Sequence, residues 1–255
     1  KTVSADFGRR SRHETLAADV MTTLDEIKYL RRKLKGWMRP QRRGINLAFL
    51  PARGEIRPLP LGVIGIVAPW NYPIQLALIP LADAIAAGNH VLVKPSEHTP
   101  RTSQLLARIL AEVFPPERVS VVQGDANRDL ADYPDDAFDY AILSQPLQTT
   151  ERPDRVVDQL LRIAPRAFVS FPNFAHWRVR LDLLWGGRMP VTRLLPVAWY
   201  ETPNIHHVTV SDFRDLRRAK GIGVEAAWYL SGAKPTSDAA ATWRAEHAIF
   251  LIRRS

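Results

Sequence analysis

The chain has 255 residues, 46% apolar and 24% charged, a balance that suits a soluble globular protein with one large or two small domains and a sizeable core. It contains no cysteine, which excludes disulfides, thiolate metal sites and thiol nucleophiles, and no stretch approaches the ~18 apolar residues of a membrane span. The formal charge of +9 is concentrated at one end: residues 1–57 hold 14 Lys/Arg against 6 Asp/Glu, and the remainder 21 against 20. A solvated helix face or a partner-facing surface accounts for that basic segment better than nucleic acid, because the interleaved aromatics of a single-strand binder are missing. The opening Lys-Thr-Val-Ser-Ala-Asp-Phe-Gly has no apolar signal region, so a cytoplasmic protein that has lost its original start is expected.

Leu16, Val20, Leu24, Ile27, Leu30, Leu34 and Trp37 recur at spacings of three and four and predict an amphipathic helix over 13–38. Arg31, Arg32, Lys33 and Lys35 fall in its last turns, where cations suit the helix dipole. Residues 63–68 form an apolar run suited to a buried parallel strand. Helix 75–87 follows, with Gly88-Asn89 in the position of a C-cap. Strand 90–94, helix 102–113 and strands 119–122 and 139–143 come next. A helix from Pro153 to about Ile163 and strand 167–171 continue the alternation. Beyond 172 the pattern loosens into Pro- and Trp-rich loops, a helix near 212–219, and late strands at 224–230 and 248–252 that could pair antiparallel. The fold class expected is α/β: a doubly wound, Rossmann-like parallel sheet with an N-terminal amphipathic helix and a partly antiparallel C-terminal region.

Two sets of motifs stand in separate halves. The first is Asp6-Phe7-Gly8, Arg10-Ser11, Glu14-Thr15, Trp37-Met38-Arg39-Pro40, Pro69-Trp70-Asn71-Tyr72-Pro73, Gly88-Asn89 and Lys94-Pro95-Ser96-Glu97-His98-Thr99-Pro100. On these residues 5–118 resemble the coniferyl-aldehyde type of aldehyde dehydrogenase. The resemblance implies an oxyanion donor at Asn71, adenosine-ribose binding by Lys94 and Glu97, and Trp70 at the cofactor. It implies NAD rather than NADP, since a carboxylate accepts ribose hydroxyls. The alternative is a fragment that keeps these residues without the pocket. The family's Gly-Ser-x-x-x-Gly turn, its Glu-Leu-Gly-Gly segment and its cysteine do not follow residue 118.

The second set is Gly124-Asp125, Phe138-Asp139-Tyr140, Ile142-Leu143-Ser144-Gln145, Leu147-Gln148 and Val169-Ser170-Phe171-Pro172-Asn173-Phe174. It goes on through His176-Trp177-Arg178, residues 187–192, Trp199-Tyr200 and residues 202–206. From 119 to 255 the chain resembles the methionine-biosynthesis protein W group of class I methyltransferase-like proteins. That resemblance implies S-adenosylmethionine as the alternative cofactor, with Asp125 at its adenine and Ser144-Gln145 near its methionine moiety. It also implies a homoserine acyltransferase partner through residues 172–210, with self-association as a further expectation. The family's Asp-x-Gly-x-Gly loop should precede Val119, where the dehydrogenase-like piece stands instead. A chimera of two doubly wound halves joined between 118 and 119 is therefore expected, as two domains or one composite domain, with no complete catalytic apparatus.

Other features carry blander readings. Adjacent His206 and His207 face opposite ways on an extended chain and make a poor metal pair. Asp135 and Asp136 read as a solvated turn. Trp177, Trp185, Trp199 and Trp228 read as core or partner-contact residues, and Ser144 lacks the Gly-x-Ser-x-Gly elbow of a nucleophile.

Overall fold

The computed structural model describes residues 1–124, 129–144, 147–189, 191, 205–232 and 234–254. Helix α1 (Thr2–Phe7) precedes a long helical rod made of α2 (Arg12–Glu14), a π-helical stretch (Thr15–Met21) and α3 (Thr22–Trp37). Ser11 caps the rod by accepting from the His13 N–H. Strands β1 (Gln41–Arg43) and β2 (Gly54–Ile56) then form a small antiparallel ribbon on the surface.

The main sheet begins with β3 (Val63–Val67), α4 (Gln75–Ala86), β4 (His90–Lys94), α5 (Pro100–Val113) and β5 (Val119–Val121). It continues with β6 (Tyr140–Ser144), α6 (Pro153–Ile163), β7 (Arg166–Pro172), α7 (Trp177–Gly186) and α8 (Val210–Ala219). Strands β8 (Gly223–Ser231) and β9 (Lys234–Pro235), helix α9 (Ala241–Arg244) and strand β10 (His247–Arg253) follow. The strand order is β5-β4-β3-β6-β7-β10-β8-β9. Strands β5, β4, β3, β6 and β7 are parallel, whereas β10 runs antiparallel to both β7 and β8. The expected α/β class and the late antiparallel pair are both present.

The parallel strands are apolar because side chains on both faces are covered. Ile64, Ile66, Val91, Val93 and Val119 pack with Leu81, Leu106 and Leu110 of α4 and α5. On the opposite face Leu143, Val169 and Phe171 join Val157 of α6, Phe213 of α8 and Phe250 of β10. The rings of Phe171, Phe213 and Phe250 lie 4.8–5.9 Å apart there. Asn173 is fully buried behind this cluster. Its amide donates to the Thr242 and Ala245 carbonyls at 3.0 and 2.8 Å, and its oxygen accepts from Val210 N at 3.2 Å. The polar residue in the Pro172-Asn173-Phe174 motif thus ties β7 to α8 and α9.

Val67 pairs with Lys94 on one side and Leu143 on the other. The strand order therefore reverses at β3, and a crevice opens beyond the carboxyl ends of β3 and β6, where ligands of open α/β sheets bind.

One helix departs from the expected loops. Helix α7 starts at the His176 side chain, which accepts from Arg178 N–H, and stops at left-handed Gly187. Its Leu183, Leu184 and Trp185 are exposed, so no apolar stripe of helical period marks it in the sequence. Among the described residues no helix is long and apolar enough to cross a membrane.

Candidate functional site

The first two candidate residues stand where β3 ends. The Pro69-Trp70-Asn71-Tyr72-Pro73 turn leads from β3 into α4 and is held from outside by the N-terminal segment. The Arg10 guanidinium lies 4.8 Å from the ring centres of both Phe7 and Tyr72. Its Nη1 donates to the Asn71 backbone carbonyl at 2.6 Å, and its Nη2 meets Asp19 Oδ2 at 3.1 Å. Asp19 is fully buried, and its other oxygen accepts from Gln75 N, at the first turn of α4, at 3.1 Å. Burial pushes the Asp19 carboxyl above the usual carboxylate range, against the pull of the Gln75 N–H and of Arg10.

The end of β4 carries the second pair. Lys94 is only 7% exposed, and its ammonium donates to Glu97 Oε2 at 2.7 Å and to the Pro95 carbonyl at 3.2 Å. Beyond them α5 begins under another carboxylate from the N-terminus. Asp6 accepts from Arg101 N at 3.2 Å, from Thr102 N at 2.8 Å and from the Thr102 hydroxyl at 2.7 Å.

A cleft of about 460 Å³ lies between these loops, lined by Asp6, Phe7, Trp70, His98, Thr99, Thr149 and Ile205. Trp70 sits between two other rings, 5.7 Å from Phe7 and 6.4 Å from His98. Thr149 and Ile205 come from the second half of the chain, so the cleft is assembled from both. Two buried oxygens in the loops after β3 and β6 lack hydrogen-bond partners: Asn71 Oδ1 and Gln148 Oε1. Such orphan acceptors are what a hydrogen-bond-donating ligand would satisfy.

Trp70, Asn71, Lys94 and Glu97 are thus gathered at one edge of the sheet. Ser144 ends β6 at the same edge, while Asp125 and Gln145 lie outside the described residues. His206 Nε2 meets the Glu151 carbonyl at 3.3 Å and His207 packs edge-on against Phe174, yet both residues line one further cleft with Asp154 and Asp212. Among the described residues no cluster of His, Asp or Glu could hold a metal. Trp185 is 79% exposed and Trp228 45%, so neither is a core residue, and Trp199 lies outside the described residues. Asp135 and Asp136 pair with Arg162 and Arg254, which gives the expected turn two ionic anchors. Asp6, Arg10 and Gln148 stand within the motifs but carried no expected role there, and Asp19 stands outside them. Asp19 had one signal, a carboxylate beside the apolar positions of an amphipathic helix.

A family model described as aldehyde dehydrogenase family matches residues 5–135, and one described as methionine biosynthesis protein MetW matches residues 109–252. The chain belongs to both families. The two matches overlap over residues 109–135, which hold the end of α5 and the edge strand β5. A probable coniferyl aldehyde dehydrogenase of Pseudomonas aeruginosa is 45% identical over 127 residues, which are 50% of this chain and 27% of that protein. The coniferyl aldehyde dehydrogenase of Pseudomonas sp. strain HR199 is 46% identical over 124 residues, 49% of this chain and 25% of its own. The chain thus spans about a quarter of the length of these curated relatives. The substrate-bound structure of Staphylococcus aureus AldH superposes with a TM-score of 0.54 at 28% identity, covering 63% of this chain and 34% of that one. The fold is aldehyde-dehydrogenase-like and Rossmann-type, with a MetW part built onto the same sheet.

Proposed function

We propose that this protein is a composite Rossmann-like domain, joined between residues 118 and 119, that binds the adenosine end of NAD and lacks the means to oxidise an aldehyde. The observation that carries the reading is the buried Lys94 ammonium held 2.7 Å from Glu97 at the end of β4, beside the aromatic cleft. Lys94 and Glu97 would hold the ribose hydroxyls, one by donating and one by accepting, and Trp70 would flank the cofactor. NAD supplies a hydride acceptor when bound. Asn71 would keep the family's oxyanion-donor position, but a chain with no cysteine cannot form the thiohemiacetal whose oxyanion such a donor would serve.

Thermal unfolding with NAD, NADP, S-adenosylmethionine and S-adenosylhomocysteine tests this directly. A ligand at a hundred times its dissociation constant adds about 2.7 kcal/mol and raises the midpoint. A shift with NAD is expected. A shift with the methionine cofactors alone transfers the site to the MetW part, through Ser144, Gln145 and Asp125. NAD-dependent aldehyde oxidation by the pure protein would refute the incompleteness.

A second reading has its own support. Leu183, Leu184 and Trp185 of α7 are 50%, 74% and 79% exposed in the MetW part. That patch would serve a partner, and a homoserine acyltransferase is the partner that MetW kinship suggests. A pull-down with no enrichment over an unrelated bait would count against it.

A further inference from the structure

Two helix N-termini at the ligand-facing edge, those of α4 and α5, where dinucleotide folds place phosphates, are already filled by the chain's own carboxylates. Asp19 accepts from Gln75 N at the start of α4, and Asp6 accepts from Arg101 N and Thr102 N at the start of α5. Helix α6 opens with Asp154 in its first turn, bound to Arg152 at 2.9 and 3.0 Å. Any phosphate brought to these positions would meet a negative charge instead of free N–H groups.

Two of the nearby cations are committed as well. Arg10 is buried and spent on Asn71 and Asp19, and Lys94 is buried against Glu97. The described residues lining the cleft include one aspartate and one histidine and no lysine or arginine. The same cleft offers Trp70 and Phe7 as ring surfaces, with the Lys94–Glu97 pair one residue from its His98 wall.

We infer that this site recognises the nucleoside and ignores the phosphates: it is built for an adenosine-type ligand, with the base in the aromatic cleft and the ribose at Lys94 and Glu97. The inference rests on the adenosine-site reading above and narrows it, because a diphosphate would add nothing to affinity.

Calorimetric titration of the full chain with adenosine, AMP, ADP and NAD decides the matter. The four dissociation constants should agree within about threefold, whereas a site that uses its phosphates gains about tenfold for each 1.4 kcal/mol of contact. NAD binding more than about tenfold tighter than adenosine overturns the inference and leaves the NAD reading intact. Absence of binding by all four ligands removes both. Asp6→Asn keeps an acceptor at the α5 terminus and deletes its charge, so ADP should gain on adenosine relative to the parent protein. An unchanged ratio in a folded Asp6→Asn protein argues against exclusion by that carboxylate. Asp19→Asn repeats the comparison at α4 should the first variant not fold.

Discussion

Arg10 donates to the backbone carbonyl of Asn71 at 2.6 Å across 61 residues of sequence. The bond places a buried guanidinium between the N-terminal helices and the turn that follows β3, and Asp19 balances its charge. One side chain thereby holds the rod, the turn and the start of α4 in register.

Removing that cation should be costly. Arg10→Met leaves the Asp19 carboxylate buried without its partner, a loss of about 3–5 kcal/mol in urea unfolding. Asp19→Leu added to Arg10→Met should recover part of it, because an apolar pair replaces an isolated charge. Equal stability of the parent and Arg10→Met would mean that the pair is not formed.

Glu97 gives a binding test. Glu97→Gln keeps the shape but loses the charged acceptor, a change worth about 1.5–3 kcal/mol for a hydrogen bond to a charged group. NAD affinity measured by calorimetry should fall by at least tenfold, and the unfolding midpoint should fall too, because the buried Lys94 ammonium loses its counter-charge. Unaltered affinity would move the ribose away from this pair.

The pH dependence of stability should reveal His176. Burial lowers its pKa below the ordinary value of 6.5, and its ring accepts from Arg178 N–H to cap α7. Below pH 6.5 the unfolded chain binds a proton that folded His176 resists, so the contribution of His176 to stability falls with acidification and is flat above that point, while Asp83, pushed up to about 6 by burial, acts in the opposite sense. His207 is lowered by burial as well and adds to the slope. His176→Asn should keep the cap and flatten part of the midpoint-versus-pH curve; an identical curve would exclude His176 as a contributor.

Unfolding should be a single event despite the chain's dual kinship. Strand β3 from one part is hydrogen-bonded to β6 from the other along Ile64–Tyr140 to Val67–Leu143. Leu143 is fully buried, and Leu143→Ala should cost about 2–5 kcal/mol. Circular dichroism and tryptophan fluorescence should give coincident transitions for both proteins. Two separated transitions would mean that the parts fold independently.

Gly62 marks the same junction. Its φ is +124°, and a Cβ there would overlap the Asp139 carboxylate, which accepts from Val63 N at 2.7 Å. Gly62→Ala should therefore destabilise by more than the ~1 kcal/mol that an unstrained glycine replacement can gain. A neutral or stabilising result by thermal melt would show that Asp139 moves aside without loss.

The alternating strands and helices and the late antiparallel pair were legible in the residue order, and family resemblance gave Trp70, Asn71, Lys94 and Glu97 a shared site. Lys94 ends one parallel strand and the other three follow strand ends, and such ends all open onto one edge. Family motifs likewise announced both kinships. Only the tertiary structure decided that Arg10 holds Asn71, that Asp6 caps a helix 95 residues away, and that Gln148 lies 4% exposed with an unpaired oxygen. It also decided that α7 is a helix with its apolar side in water. The physical reason is range. Periodicity reports which face of an element is buried, a local property of spacing. The partner of a buried charge is chosen by packing between elements, and no spacing in the chain encodes it.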